Sequence, residues 1–205
     1  MASRTIAGLY DAYGNAVKTV RDLQAAGISD DEISVVANTA ADLHRSTGDD
    51  ESSVATETGV TFGTLVGGGA GLLAGFGVIA IPGIGPVVAA GWLVTAAFGA
   101  AIGAAAGAAA GGLVGTLTES GVSEADAQVY AEGIRRGGTI VTARVDEARA
   151  IEISLIMERY GAVDPALRRQ LYLGSGWTEF DAGARPDTPS AVERERDFHD
   201  GQPTL

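Results

Sequence analysis

The sequence predicts an α+β fold, a ferredoxin-like sandwich interrupted by a long apolar helical hairpin rich in Gly and Ala. Three observations lead there. Charge is confined to the two ends of the chain: residues 1–57 hold ten acidic and four basic side chains, residues 119–205 hold sixteen and ten, and residues 58–118 hold none. Short β-branched runs alternate with amphipathic helical stretches in both charged arms, as βαβ and then αβα. Neither arm alone is long enough to bury much of a core, so the two are expected to complete one domain.

In the first arm, Thr5 to Tyr10 (TIAGLY) reads as a strand, and Asp11 to Ala26 places Val17, Val20 and Leu23 at helical spacing before Gly27 stops the helix. The β-branched run Ile33 to Ala37 is a second strand. Residues 1–38 are therefore the first half of the sandwich, and the polar, acidic residues 39–57 a linker. In the second half, residues 119–164, Ser123 is placed to cap a helix whose first turn holds Asp126. Gly137-Gly138 ends that helix, Thr139 to Val145 is a strand, and Asp146 opens a helix carrying Ile151, Leu155 and Ile156 up to Gly161. The fourth strand is expected at Ala162-Val163-Asp164 or from a partner. Residues 165–205 hold a short helix (ALRRQLYL) and an acidic tail. That tail reads as disordered, or as docked through Tyr172, Trp177 and Phe180, whose rings are costly to leave in water.

Residues 58–118 contain 17 of the 30 glycines and no charge over 61 positions, enough for two membrane-length helices. The break Pro82, Gly83, Gly85, Pro86 predicts a hairpin of helices over roughly 60–80 and 87–117. Gly63, Gly67, Gly71 and Gly75 recur every four residues in its first half, and Gly99, Gly103, Gly107, Gly111 and Gly115 in its second. Such spacing lines one helix face with hydrogens, so that another helix can approach closely. Each glycine costs about 0.5–1 kcal/mol in a helix relative to alanine, a loss that tight association would offset. Two readings follow for these nine positions: contacts that oligomerise or insert the hairpin, or pairing of the two helices within one subunit. Membrane insertion is itself one of two options, because no Lys or Arg lies between Arg45 and Arg135 to supply the usual basic flank.

The composition leaves few reagents for chemistry. There is no cysteine, and the two histidines, His44 and His199, lie in the linker and the tail without a Gly-x-Ser-x-Gly elbow. The only lysine is Lys18, so the glycine-rich stretches lack a Walker A lysine, and no acidic residue follows them at dinucleotide-binding distance. Asp30-Asp31-Glu32 and Asp49-Asp50-Glu51 lack EF-hand spacing and read as solvated turns. Arg135-Arg136 and Arg168-Arg169 are weighed as contacts for phosphate or anionic lipid against a role at helix ends. The net charge of −12 excludes a conventional nucleic-acid footprint. No catalytic, cofactor-binding or metal-binding residue is assigned, and the function expected is non-enzymatic. The expected partners are further copies of the chain, a homo-oligomer, with membrane lipid as the other candidate. The N-terminus shows no secretion signal, so the arms are expected in the cytoplasm, beside an inner membrane or within a soluble shell, filament or bundle.

The opening TIAGLYDAYGNAVKTVRDLQAAGISDDEISVVAN, the central IPGIGPVVAAG, the return GVSEADAQVYAEGIRRGGTIVTARV and the helix end ERYGAVD together resemble the bacterial general stress protein and low-temperature-induced protein family. The most specific piece is Pro82-Gly83-Ile84-Gly85-Pro86-Val87 followed by Ala89-Ala90-Gly91. Asp11-Ala12-Tyr13-Gly14 departs from the more acidic, glycine-free helix start that the resemblance implies. It also implies an association with stress and with membranes, and brings no catalytic residues.

Overall fold

A computed structural model describes residues 3–38, 77–81, 83–93, 112–185, 187–188 and 191. Among the described residues there are five strands, β1 (Ser3–Tyr10), β2 (Ile33–Asn38), β3 (Gly77–Ile81), β4 (Gly85–Gly91) and β5 (Thr139–Asp146). They form one antiparallel sheet in the order β1-β5-β2-β4-β3. The helices are α1 (Tyr13–Ala25), α2 (Gly112–Glu119), α3 (Glu124–Arg135), α4 (Ala150–Arg159) and α5 (Pro165–Gly174). A 3-10 turn, Glu147–Arg149, leads into α4.

The strands and helices predicted in the two charged arms are present, except the strand sought at Ala162-Val163-Asp164, and β5, from the second arm, lies between β1 and β2, from the first. Each β-branched run places alternate side chains on opposite faces. Val35, Val141, Ala143 and Val145 face α1 and α4, meeting Val20, Leu23, Ile153 and Met157. Val36, Leu9, Ile140 and Ala89 face α2 and α3, meeting Leu117, Ala127, Ala131 and Ile134. Since β2 is buried along its whole length, its sequence ISVVAN lacks the polar alternation of a one-sided sheet.

Three expectations need correction. Over residues 77–91 the central apolar run is not a helical hairpin: Gly77–Ile81 and Gly85–Gly91 are strands that extend the sheet beyond β2, residues 112–118 are helical in α2, and Ala162-Val163-Asp164 forms no strand. Apolar runs of this length fit a buried strand as well as a helix, and here Val78, Ile79, Val87 and Val88 favour the strand while β2 offers an open ladder. The hairpin turns over Ile81–Ile84, with the Ile84 N–H on the Ile81 carbonyl at 3.1 Å and Gly83 at φ +76°, as a type II turn requires at its third residue. Pro86 falls beyond the β2–β4 register, which begins at Val87, so its lack of an N–H breaks no bond to β2.

The ferredoxin-like expectation is kept as a mixed α+β antiparallel sheet and changed in its layout. The sheet has five strands instead of four, with helices on both faces. Its units are split βαβ crossovers: β1 and β2 run parallel around β5, and β4 and β5 run parallel around β2. Val163 donates its N–H to the Leu9 carbonyl at 2.8 Å and the Tyr130 hydroxyl donates to that of Ala7 at 3.2 Å, so half of edge strand β1 is covered without a further strand.

Helix α4 is also rotated from its expected phase. Ile153, Ile156 and Met157 point inward, and Ile151 and Leu155 are 76% and 56% exposed.

Gly91 at φ +91° lies where a Cβ would strike the Ile33 carbonyl and the backbone of Ser34, whereas Gly14 in α1 faces open space. Gly91→Ala is expected to destabilise the domain by about 1–3 kcal/mol, and Gly14→Ala to stabilise it by about 0.5–1 kcal/mol. Urea midpoints of the two variants check both signs.

Candidate functional site

The charged side chains converge at the end of the sheet where β1 and β2 finish and β5 begins. Glu132, on the last turn of α3, is almost completely buried. Arg135 donates from Nε to its Oε2 at 2.8 Å and from Nη2 to its Oε1 at 2.6 Å, and Arg136 donates from Nε to the same Oε1 at 2.6 Å. Arg135 reaches onward from Nη1 to Asp187 Oδ1 at 2.7 Å. The helix end is held as well: Asn38 Nδ2, at the end of β2, donates to the carbonyls of Ile134 at 2.9 Å and Arg135 at 3.1 Å.

A second pair lies beside the first. Arg168 of α5 makes a bidentate bond to Asp11, Nη1 to Oδ1 at 2.8 Å and Nη2 to Oδ2 at 2.6 Å. The Tyr172 ring stands between the two systems, with the Arg136 guanidinium 4.3 Å and that of Arg168 5.8 Å from its centroid. Trp177 packs edge-on against Tyr172 at 5.7 Å, over Val129.

The electrostatics follow from this packing. Burial pushes the Glu132 carboxyl up, but the hydrogen bonds from Arg135 and Arg136 outweigh it and hold the group below its ordinary value. Burial likewise works against the charged form of Arg168, and the Asp11 carboxylate reverses the effect, so the guanidinium stays charged. Burial, partly opposed by a hydrogen bond with Thr19, pushes the Tyr10 hydroxyl up to about 12. Each cation is matched to a carboxylate, so what the cluster can do is hold α3, α5 and the C-terminal segment together.

The residues singled out from sequence are distributed differently. Gly83 and Gly85 are at the β-hairpin turn with φ +76° and +96°, Pro86 follows in β4, and Pro82 lies outside the described residues. Gly115 is in α2, where an added Cβ would meet no atom within 4 Å. Gly63, Gly67, Gly71, Gly75, Gly99, Gly103, Gly107 and Gly111 lie outside the described residues, as do His44, His199 and the Asp49-Asp50-Glu51 run. Asp30 and Asp31 form turn contacts, from Gln24 Nε2 at 2.6 Å and from Ser29 Oγ at 2.6 Å, and the Ser29 bond lowers the Asp31 pKa. Arg135, Arg136 and Arg168, weighed as phosphate or lipid contacts, are spent on carboxylates. The sequence reading missed Glu132, although its i+3 and i+4 arginines were a visible signal. The Asp11–Arg168 pair spans 157 positions and gave no local signal.

The fold is thus an antiparallel α+β domain closed at one end by a neutralised ion cluster. Residues 5–77 match the family model described as the heat induced stress protein YflT domain. That match, from β1 to the first residue of β3, supports a bacterial general stress protein family for the chain, as the sequence resemblance implied. No curated protein and no solved structure matches it.

Removing one partner of a buried pair strands the other charge, so Asp11→Ala is expected to cost about 3 kcal/mol in a denaturant titration. Glu132 adds a pH dependence. Its folded pKa lies below its ordinary 4.5, so its contribution is complete above that value and is lost as pH falls through the folded pKa. Glu132→Gln should therefore be less stable than the parent at pH 7, with the gap narrowing below pH 4.5; a gap independent of pH would contradict the assignment.

Proposed function

We propose that this stress-family protein acts without catalysis, by homo-oligomerisation through the uncharged glycine-repeat segments that flank its β-hairpin. The observation that carries the reading is the position of those repeats. With residues 77–93 in and beside the sheet, Gly63 to Gly75 precede the hairpin and Gly99 to Gly111 follow it, in segments without one charged side chain. A folded domain that brackets such segments is suited to present them to other copies, where four-residue glycine spacing favours close helix contact. The domain contributes exposed apolar side chains of its own, Ile151 and Leu155 on α4 and Leu167, Leu171 and Leu173 on α5, of the kind found at association surfaces.

Lipid association is the second reading, supported by the same uncharged run. Among the described residues no helix is long and apolar enough to cross a membrane.

Gly103→Leu together with Gly107→Leu, in the full chain, should reduce the assembly mass measured by light scattering after detergent-free fractionation. Leaving the folded domain untouched, the pair should not alter its near-UV circular dichroism. An unchanged mass would overturn the self-association reading, and recovery of the parent protein solely with membranes would favour lipid.

A further inference from the structure

The segment after α5 crosses the end of the sheet and is fixed by three side chains. Trp177 is buried on Tyr172 and Val129. Phe180 packs, half-buried, against the core cluster that contains Ile81 and Ile84. Asp187 pairs with Arg135 at 2.7 Å, beyond the contact of Arg135 with Glu132. Between the last two, the backbone of Asp181 and Ala182 lies on the β3–β4 turn so closely that a Cβ on Gly83 would come 2.6 Å from the Asp181 carbonyl oxygen and 2.9 Å from Ala182 Cα. The segment is shaped locally for this path, with the Gly183 N–H donating to Asp181 Oδ1 at 2.7 Å. It therefore ties the end of α3 to the tip of the β-hairpin.

The geometry points to a latch: residues 177–185 and Asp187 clamp the tip of the β3–β4 hairpin, and their release is a conformational step separate from unfolding. The hairpin depends on such a clamp for a physical reason. Strand β3 is an edge strand bonded to β4 alone among the described strands, and β4 is held by β2 over Val87–Gly91 only, so the tip at Ile81–Gly85 projects past the ladder. The latch covers that tip. Its outer anchor, Asp187–Arg135, is partly exposed, which makes it the weakest of the three contacts and the point where opening begins.

The inference goes beyond self-association and stands or falls separately. Hydrogen exchange followed by mass spectrometry on the full chain compares the parent with Asp187→Asn, Phe180→Ala and Gly83→Ala. The expected result is several-fold faster exchange in peptides covering residues 77–91 and 177–187, with β1, α1 and β5 unchanged. Asp187→Asn and Phe180→Ala are mild enough to keep the domain folded, and Gly83→Ala attacks the same contact from the other side. Unchanged exchange at 77–91 in all three variants would overturn the latch, and so would acceleration spread evenly over the sheet. Assembly mass on the same samples reports independently on self-association.

Discussion

Burial of the two central strands on both faces is the constraint from which the rest of this structure follows. β5 and β2 each carry apolar side chains up and down, so helices must cover both sides of the sheet: α1 and α4 on one, α2 and α3 on the other. The last strand of the sheet is inserted between the first two. A chain that closes its core in this way cannot fold by halves, because removal of β5 leaves β1 and β2 without a common neighbour. The same order leaves the free edge of β2 open to the β3–β4 hairpin, and the uncharged part of the chain thereby enters the core.

The ion cluster is the price of bringing five elements to one end of that sheet. Burying Glu132 and Arg168 is unfavourable in isolation, and the arrangement survives because each has its counter-charge within hydrogen-bond distance. Such a network contributes less to net stability than an apolar core of equal volume, yet it fixes which helix end meets which strand. Arg135 shows the consequence for function: it joins a buried carboxylate to one on the C-terminal segment, so the order of that segment is coupled to the end of α3 and, through Gly83, to the hairpin.

Much of the fold was legible in the sequence. Ser123 accepts from the Asp126 N–H at 3.1 Å as its spacing implied, Gly27 and Gly137 end their helices at positive φ, and the β-branched runs are strands. The reversal at Gly83 and Gly85 was read from the sequence as a turn between helices, whereas it joins two strands. The Glu132–Arg135–Arg136 group was written in i+3 and i+4 spacing, but equal spacings occur on any solvated helix, and burial, absent from the sequence, is what makes this one consequential.

By itself the sequence determined the local features: where helices of the charged arms start and stop, which runs of those arms are extended, and that the middle of the chain carries no charge. These depend on neighbouring residues, whose preferences act over a few positions. The tertiary structure decided everything that turns on distant partners. Val87 and Val88 are strand rather than helix because β2, some fifty positions earlier, offers an unpaired edge, and Val78 and Ile79 pair in turn with β4. Ile151 and Leu155 face outward while Ile153 and Met157 face in, because the phase of α4 is set by its docking over β1 and β5. Asp11 finds Arg168 only once the sheet has folded, since a charge pair separated by most of the chain has no local energy to announce it.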